Sequence, residues 1–129
     1  FPDATLAAAR ARCEEADVEF EAERIGWNGS PKLAPETAFA CHRIILEAVA
    51  NALRHSGAKH LKVTLAAEPE LARMIVADDG SGFAVSAKPP EGHYGIQGMR
   101  ERAERLGANL AIHSAPARGT SVELSLKLT

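Results

Sequence analysis

Between Pro35 and Gly57 runs a stretch free of glycine and proline whose apolar residues Ala38, Cys41, Ile45, Ala48, Val49 and Ala52 recur at helical spacing. The pattern predicts one long helix over Glu36–His55, closed by Ser56-Gly57 as a stop. A helix with a single apolar stripe must cover another layer, and the chain supplies strands for it. Val18, Phe20, Ala22 and Ile25 alternate with acidic positions over Asp17–Trp27, and Asn28-Gly29-Ser30-Pro31 ends that run as a turn. His60–Ala67, with Leu61, Val63 and Leu65 on one face, and Leu71–Ala77 are joined by Glu68-Pro69-Glu70 as a hairpin. Asn109–Ser114 and Thr120–Leu128 close the chain, the last alternating through Val122, Leu124, Leu126 and Leu128. Two further helices are expected: Ala4–Ala16, rich in Ala, Arg and Glu, and a short one with Ile96, Met99, Ala103 and Leu106 on one face, stopped by Gly107. The elements predict an α/β fold, a two-layer sandwich in which a mixed, mostly antiparallel sheet is covered on one face by helices. Residues 1–16 read as the end of an upstream linker helix and residues 17–129 as the domain proper.

With 129 residues, 46% of them apolar, the chain suits one compact domain with a real core. Its net charge of −2 and scattered Lys and Arg argue against a nucleic-acid partner, yet leave a phosphorylated small molecule open, because backbone donors bind anions whatever the global charge. No apolar run reaches the roughly 20 residues a bilayer span needs, and no signal-peptide pattern opens the chain, so the expectation is a cytoplasmic fragment without direct membrane contact. The start at Phe1 reads as an excision from a longer protein, whose own membrane anchoring stays open. Cys13 and Cys41, far apart and in helical patterns, are expected as buried free thiols.

On the long helix Arg43, Glu47, Asn51 and His55 recur every fourth residue and form one polar stripe. Such a stripe is usually only the solvated face of an amphipathic helix, but Asn51 offers the neutral oxygen a hard cation accepts and Glu47 can order a metal-bound water. Asp78-Asp79-Gly80-Ser81-Gly82-Phe83 follows a strand. There a carboxylate can accept from an amino group and paired glycines let backbone approach a ligand, although Asp-Gly steps also make plain turns. The Gly- and Pro-rich segment from Asp78 to Tyr94 is longer than a structural turn needs and so is a candidate functional loop; Lys88 within it could reach a phosphate, although most loop lysines are solvated. Gly95-Ile96-Gln97-Gly98 then opens a helix, whose unpaired amides suit phosphate oxygens, and Gly119-Thr120 opens the last strand.

In this order the motifs resemble the ATP-binding domain shared by gyrase, the heat-shock chaperone, histidine kinases and the mismatch-repair ATPase. The stretch from Glu47 through Asn51, Arg54 and His55 is similar to that family's N box, Asp78-Asp79-Gly80-Ser81-Gly82 to its first glycine box, Gly95-Ile96-Gln97-Gly98-Met99 to its second, and Gly119-Thr120 to its closing threonine motif. His42-Arg43-Ile44-Ile45-Leu46-Glu47, His93-Tyr94-Gly95 and Met99-Arg100-Glu101-Arg102-Ala103 resemble the nitrate-sensor branch of bacterial histidine kinases. The resemblance implies a Bergerat-type fold, ATP and Mg²⁺ as cofactors, and a role for each matching residue. Asn51 holds Mg²⁺ on the phosphates with Glu47 beside it, the two forming the catalytic pair. Arg54 and His55 lie near phosphate, and Asp78 accepts from the adenine amino group with Thr120 bracing it through water. Gly80 and Gly82 admit the base, and Gly95 and Gly98 bring amides to the phosphates with Ile96 between them. Two departures stand out: Gly92-His93-Tyr94-Gly95 sets an extra residue before Gly95, and residues 84–94 make a short lid.

Family kinases carry the acceptor histidine, followed by an acidic residue, on a separate hairpin. His42, His55, His60, His93 and His113 are followed by Arg, Ser, Leu, Tyr and Ser, so the implied partners are the chain's own dimerisation and phosphoacceptor domain and, downstream, a response regulator. The alternatives are an anti-sigma-factor-type serine kinase, an ATP-driven clamp in which Glu47 activates water, and a non-catalytic nucleotide-binding module.

Overall fold

The computed structural model describes residues 2–27, 32–55, 57–80, 95–114 and 119–128; the expected turn at 28–31 and Ser56 lie outside them. Along the chain come α1 (Asp3–Glu15), β1 (Glu19–Ile25), α2 (Pro35–His55), β2 (His60–Ala67), β3 (Leu71–Asp78), α3 (Gly95–Arg105), β4 (Asn109–Ser114) and β5 (Thr120–Lys127). The strands form one five-stranded sheet in the order β1-β2-β3-β5-β4. β1 pairs with β2 in parallel, with α2 as the crossover between them, and every other pair is antiparallel.

Period-two patterning decides which face is dry. Leu61, Val63 and Leu65 of β2, Ala72, Met74 and Val76 of β3, Ile112 of β4 and Val122, Leu124 and Leu126 of β5 all point to one buried layer. Against it lie Cys41, Ile44, Ile45, Ala48, Val49 and Ala52 of α2 and Ile96, Met99 and Ala103 of α3. Ala38, expected in this stripe, is only half-buried, and Ile44 takes a core place instead. The opposite face is polar: Lys62 pairs with Glu21 and Glu23 of β1, and Arg73 of β3 with Glu123 of β5. One expectation about burial needs correcting. β1 alternates in sequence, yet only Phe20 of its residues is half-buried, while Ala22 is exposed and Ile25 is 52% exposed. β1 is an edge strand, so its alternation has no complete layer to cover it.

The first helix packs into the same core. Ala9, Cys13 and Thr5 are wholly buried; Thr5 Oγ1 lies 2.6 Å from His42 Nδ1 on α2, and Arg10 sits over the Phe20 ring at 4.9 Å. Cys13 and Cys41 are both free and buried, and burial pushes the Cys41 thiol up to about 11, which leaves it a poor nucleophile. Among the described residues no helix is long and apolar enough to cross a membrane.

Candidate functional site

The core-facing row of side chains changes character at one end of the sheet. Val76 of β3 stands opposite Val122 of β5, which stands opposite Ile112 of β4. One step further along the same face, Asp78 stands opposite Thr120, and Thr120 opposite Ser114. Three polar side chains thus continue an apolar row, all of them half-buried. Asp78 Oδ1 accepts from the Gly80 amide at 2.8 Å, which turns the chain out of β3 and fixes one carboxylate oxygen. Ser114 Oγ donates to the Gly119 carbonyl at 3.1 Å and lies 2.8 Å from Thr120 Oγ1.

Gly119 makes this arrangement possible. Its φ is +76°, and a Cβ there would come 2.2 Å from the Asp78 carbonyl oxygen. Only a residue without a side chain lets the start of β5 pass so close to the end of β3.

The second residue of the Asp-Asp doublet has a different duty. Asp79 Oδ1 accepts from the amides of Lys59 and His60 at 2.8 and 3.0 Å, its Oδ2 lies 2.6 Å from His60 Nδ1, and His60 Nε2 reaches Glu19 at 3.2 Å. The His60 amide and ring, with the Lys59 amide, hold the Asp79 carboxyl down at about 2, while Asp79 and then Glu19 raise the His60 imidazole. Asp79 therefore ties the end of β3 to the start of β2 and steadies Asp78 beside it. Because Asp79 is depressed, its contribution to stability is present above its ordinary value near 3.8 and is lost as pH falls towards 2. His60 is raised, so its contribution is complete below its ordinary value of 6.5 and is lost as pH rises through the higher folded value. His60→Ala is accordingly expected to lower the melting temperature more at pH 5.5 than at pH 9, and an NMR titration should place the His60 midpoint above 6.5. An equal loss at both pH values contradicts this clasp.

Across the layer, the last turns of α2 carry Glu47, Asn51 and Arg54 together. Arg54 Nη2 lies 3.4 Å from Glu47 Oε1 and 3.3 Å from Asn51 Oδ1. A cation is thus already at home against these two oxygens, although the contacts are long and Arg54 is exposed. Among the described residues no three His, Cys, Asp or Glu side chains converge as a cation cage. The Asn51 amide oxygen and the Glu47 carboxylate are donors of the kind Mg²⁺ accepts alongside phosphate and water. Arg43 of the same stripe stands apart, its guanidinium 5.9 Å from the Phe39 ring. His55 is the last residue of α2.

At the head of α3, Gly95 is the first helical residue, so the amides of this turn have no partner within the helix. Ile96 is buried in the core and anchors the turn. A Cβ on Gly98 would meet only the tip of the Arg102 side chain at 3.1 Å, so the chain itself makes little demand for glycine there. Gly82 and the segment 81–94, with Lys88 and the short lid, lie outside the described residues. Sequence reasoning missed Ser114, Asp79 and His60. For Ser114 a signal existed: it falls on the core-facing phase of β4, two residues after Ile112, where an apolar residue is expected.

Comparison with known proteins agrees with this architecture. A family profile described as "Histidine kinase-, DNA gyrase B-, and HSP90-like ATPase" matches residues 37–129. The chain belongs to this family, whose domain binds ATP. Among curated relatives, the nitrate/nitrite sensor protein NarQ of Escherichia coli is 39% identical over 100 residues, covering 75% of this chain and 18% of that protein. The sensor histidine kinase YhcY of Bacillus subtilis is 36% identical, covering 78% and 26%. The sensor protein VraS of Staphylococcus haemolyticus is 40% identical over 86 residues, covering 67% and 24%. The chain thus spans about a quarter or less of these relatives. The histidine kinase domain of a blue-light activated histidine kinase from Erythrobacter litoralis has the same fold, with a TM-score of 0.77 over 95% of this chain and 57% of that one at 22% identity.

Proposed function

We propose that this chain is the catalytic ATP-binding domain of a two-component sensor histidine kinase. It donates the γ-phosphate of ATP to a histidine on a separate dimerisation domain, from which a response-regulator aspartate receives it. The observation that carries the reading is the pairing of Asp78 with Thr120 at the polar end of an otherwise apolar row, with the Glu47–Asn51–Arg54 cluster on the helix that covers the sheet. In this reading α1 also ends the linker from the dimerisation domain.

Bound Mg²⁺ and ATP supply the phosphoryl group and its charge neutralisation; the chain's residues position them. Asp78 accepts from the amino group of the base, and Thr120 braces it. Gly80 and Gly82 would leave room for the ring, and the amides at Gly95, Ile96 and Gly98 would bind the phosphates. Asn51 would offer its amide oxygen to the metal, Glu47 would order water beside it, and Arg54 and His55 would serve the phosphates. A histidine nitrogen from the partner domain forms the new bond to phosphorus as the bond to the bridging oxygen breaks, and ADP leaves with that electron pair.

Calorimetry on the isolated chain tests the nucleotide half of this account. ATP with Mg²⁺ should bind between about 1 μM and 1 mM, roughly 4 to 8 kcal/mol, and removing the metal with EDTA should weaken it. Absence of binding at millimolar nucleotide contradicts the proposal.

A further inference from the structure

We infer that Ser114 is a positioning residue that makes this site selective for adenine over guanine, by fixing which way the Thr120 hydroxyl points. The inference rests on the proposed nucleotide reading and deepens it. A serine hydroxyl has one proton to give and two lone pairs. Ser114 gives its proton to the Gly119 carbonyl at 3.1 Å, an atom that can only accept. Its contact of 2.8 Å with Thr120 Oγ1 can be made at the same time only in the other sense, with Thr120 donating and Ser114 accepting. Thr120 is left with lone pairs only towards its other side, and its cross-strand neighbour there is Asp78, whose carboxylate also only accepts.

The end of the sheet therefore presents two acceptors side by side to whatever binds. An amino group, with two protons, suits them. A water between the side chains gives the same result, since it donates to both and turns a lone pair to the base. A carbonyl oxygen at that position, as guanine carries, meets only lone pairs. Gly119 adds geometry to this polarity: its backbone is pinned against Asp78, so the carbonyl that takes the Ser114 proton is fixed in place. Without Ser114, Thr120 is free to turn and donate, and the site no longer rejects a carbonyl edge.

Affinities of the chain for ATP and GTP are to be measured by calorimetry for the parent, Ser114→Ala, Ser114→Thr, Thr120→Val and the Ser114→Ala/Thr120→Val pair. Ser114→Ala should lower the ATP-to-GTP affinity ratio roughly five- to tenfold, as the loss of one oriented hydrogen bond does. Ser114→Thr, which keeps a hydroxyl, should retain the parent ratio. In the Thr120→Val background Ser114→Ala should change the ratio no further, because the hydroxyl it orients is gone. Should the alanine variant not fold, Ser114→Cys, a much weaker donor, replaces it with the same expected direction. A Ser114→Ala loss equal for ATP and GTP reveals a merely structural role and overturns the inference, as does a full effect that persists beside Thr120→Val. If the parent chain discriminates ATP from GTP and Ser114→Ala leaves that ratio alone, the Ser114 inference fails while the nucleotide reading stands. If the parent binds no ATP at all, both fall.

Discussion

Asp78→Asn is expected to weaken ATP binding tens-fold while leaving the fold intact. The Gly80 amide lies 2.8 Å from Asp78 Oδ1, and in the variant the side-chain amide oxygen takes that same bond. Its NH₂ group is then forced to where the second carboxylate oxygen stood. The adenine amino group would meet a donor instead of an acceptor, so the variant loses a charged hydrogen bond and gains a clash of like dipoles. A hydrogen bond to a charged group contributes roughly 1.5 to 3 kcal/mol, which corresponds to a loss of about ten- to over a hundredfold. GTP should be affected less, because the new donor suits its carbonyl. Calorimetry with both nucleotides checks this, and unchanged affinities for both would show that Asp78 does not face the base.

The second large effect is expected at Asn51, which is half-buried on the turn of α2 that also carries Arg54. Asn51→Ala removes the amide oxygen, but it leaves a good helix former in a helix. Stability should change little, because the Arg54 contact it deletes is long and exposed. Binding of ATP in EDTA should stay near the parent value, whereas the gain from adding Mg²⁺ disappears. Phosphoryl transfer to a supplied acceptor should drop roughly 10²- to 10³-fold, the scale seen when one preorganised charge-stabilising group is removed. A variant that kept its Mg²⁺-dependent gain would place the metal elsewhere.

Much of this was legible in the sequence, for reasons that differ by residue. α2 shows itself because helical spacing repeats over several turns between a proline and a glycine, and the structure moves its start only from Glu36 to Pro35. The hairpin of β2 and β3 shows itself through Glu68-Pro69-Glu70, and Glu68 and Leu71 do close it with backbone bonds of 2.8 and 3.4 Å. The parallel pairing of β1 with β2 does not show, because alternation has period two in either direction. Nor does the exposure of Ala22 and Ile25, since an edge position depends on strand order.

Gly119-Thr120 carries almost no information as a dipeptide. Its meaning comes from register, which sets Thr120 against Asp78 and Gly119 against the end of β3. Asp79 is hidden for the same reason, since it acts on the start of β2 and no local window contains both partners. Ser114 lies only six residues before Thr120, and its polar side chain on the core-facing phase of β4 marks it.

The most direct test of the account is transfer of labelled γ-phosphate from ATP to a separately purified dimerisation domain of the same parent kinase, with this chain as the only source of catalysis. Acid-labile label should appear on the acceptor domain alone. The rate should rise with acceptor concentration, because separating the domains removes an effective concentration in the millimolar range. Substituting the acceptor histidine should abolish the signal. Label mapped to any of the five histidines of this chain, or no transfer from a chain that binds ATP with Mg²⁺, would contradict the claim that it is a catalytic domain whose acceptor lies elsewhere.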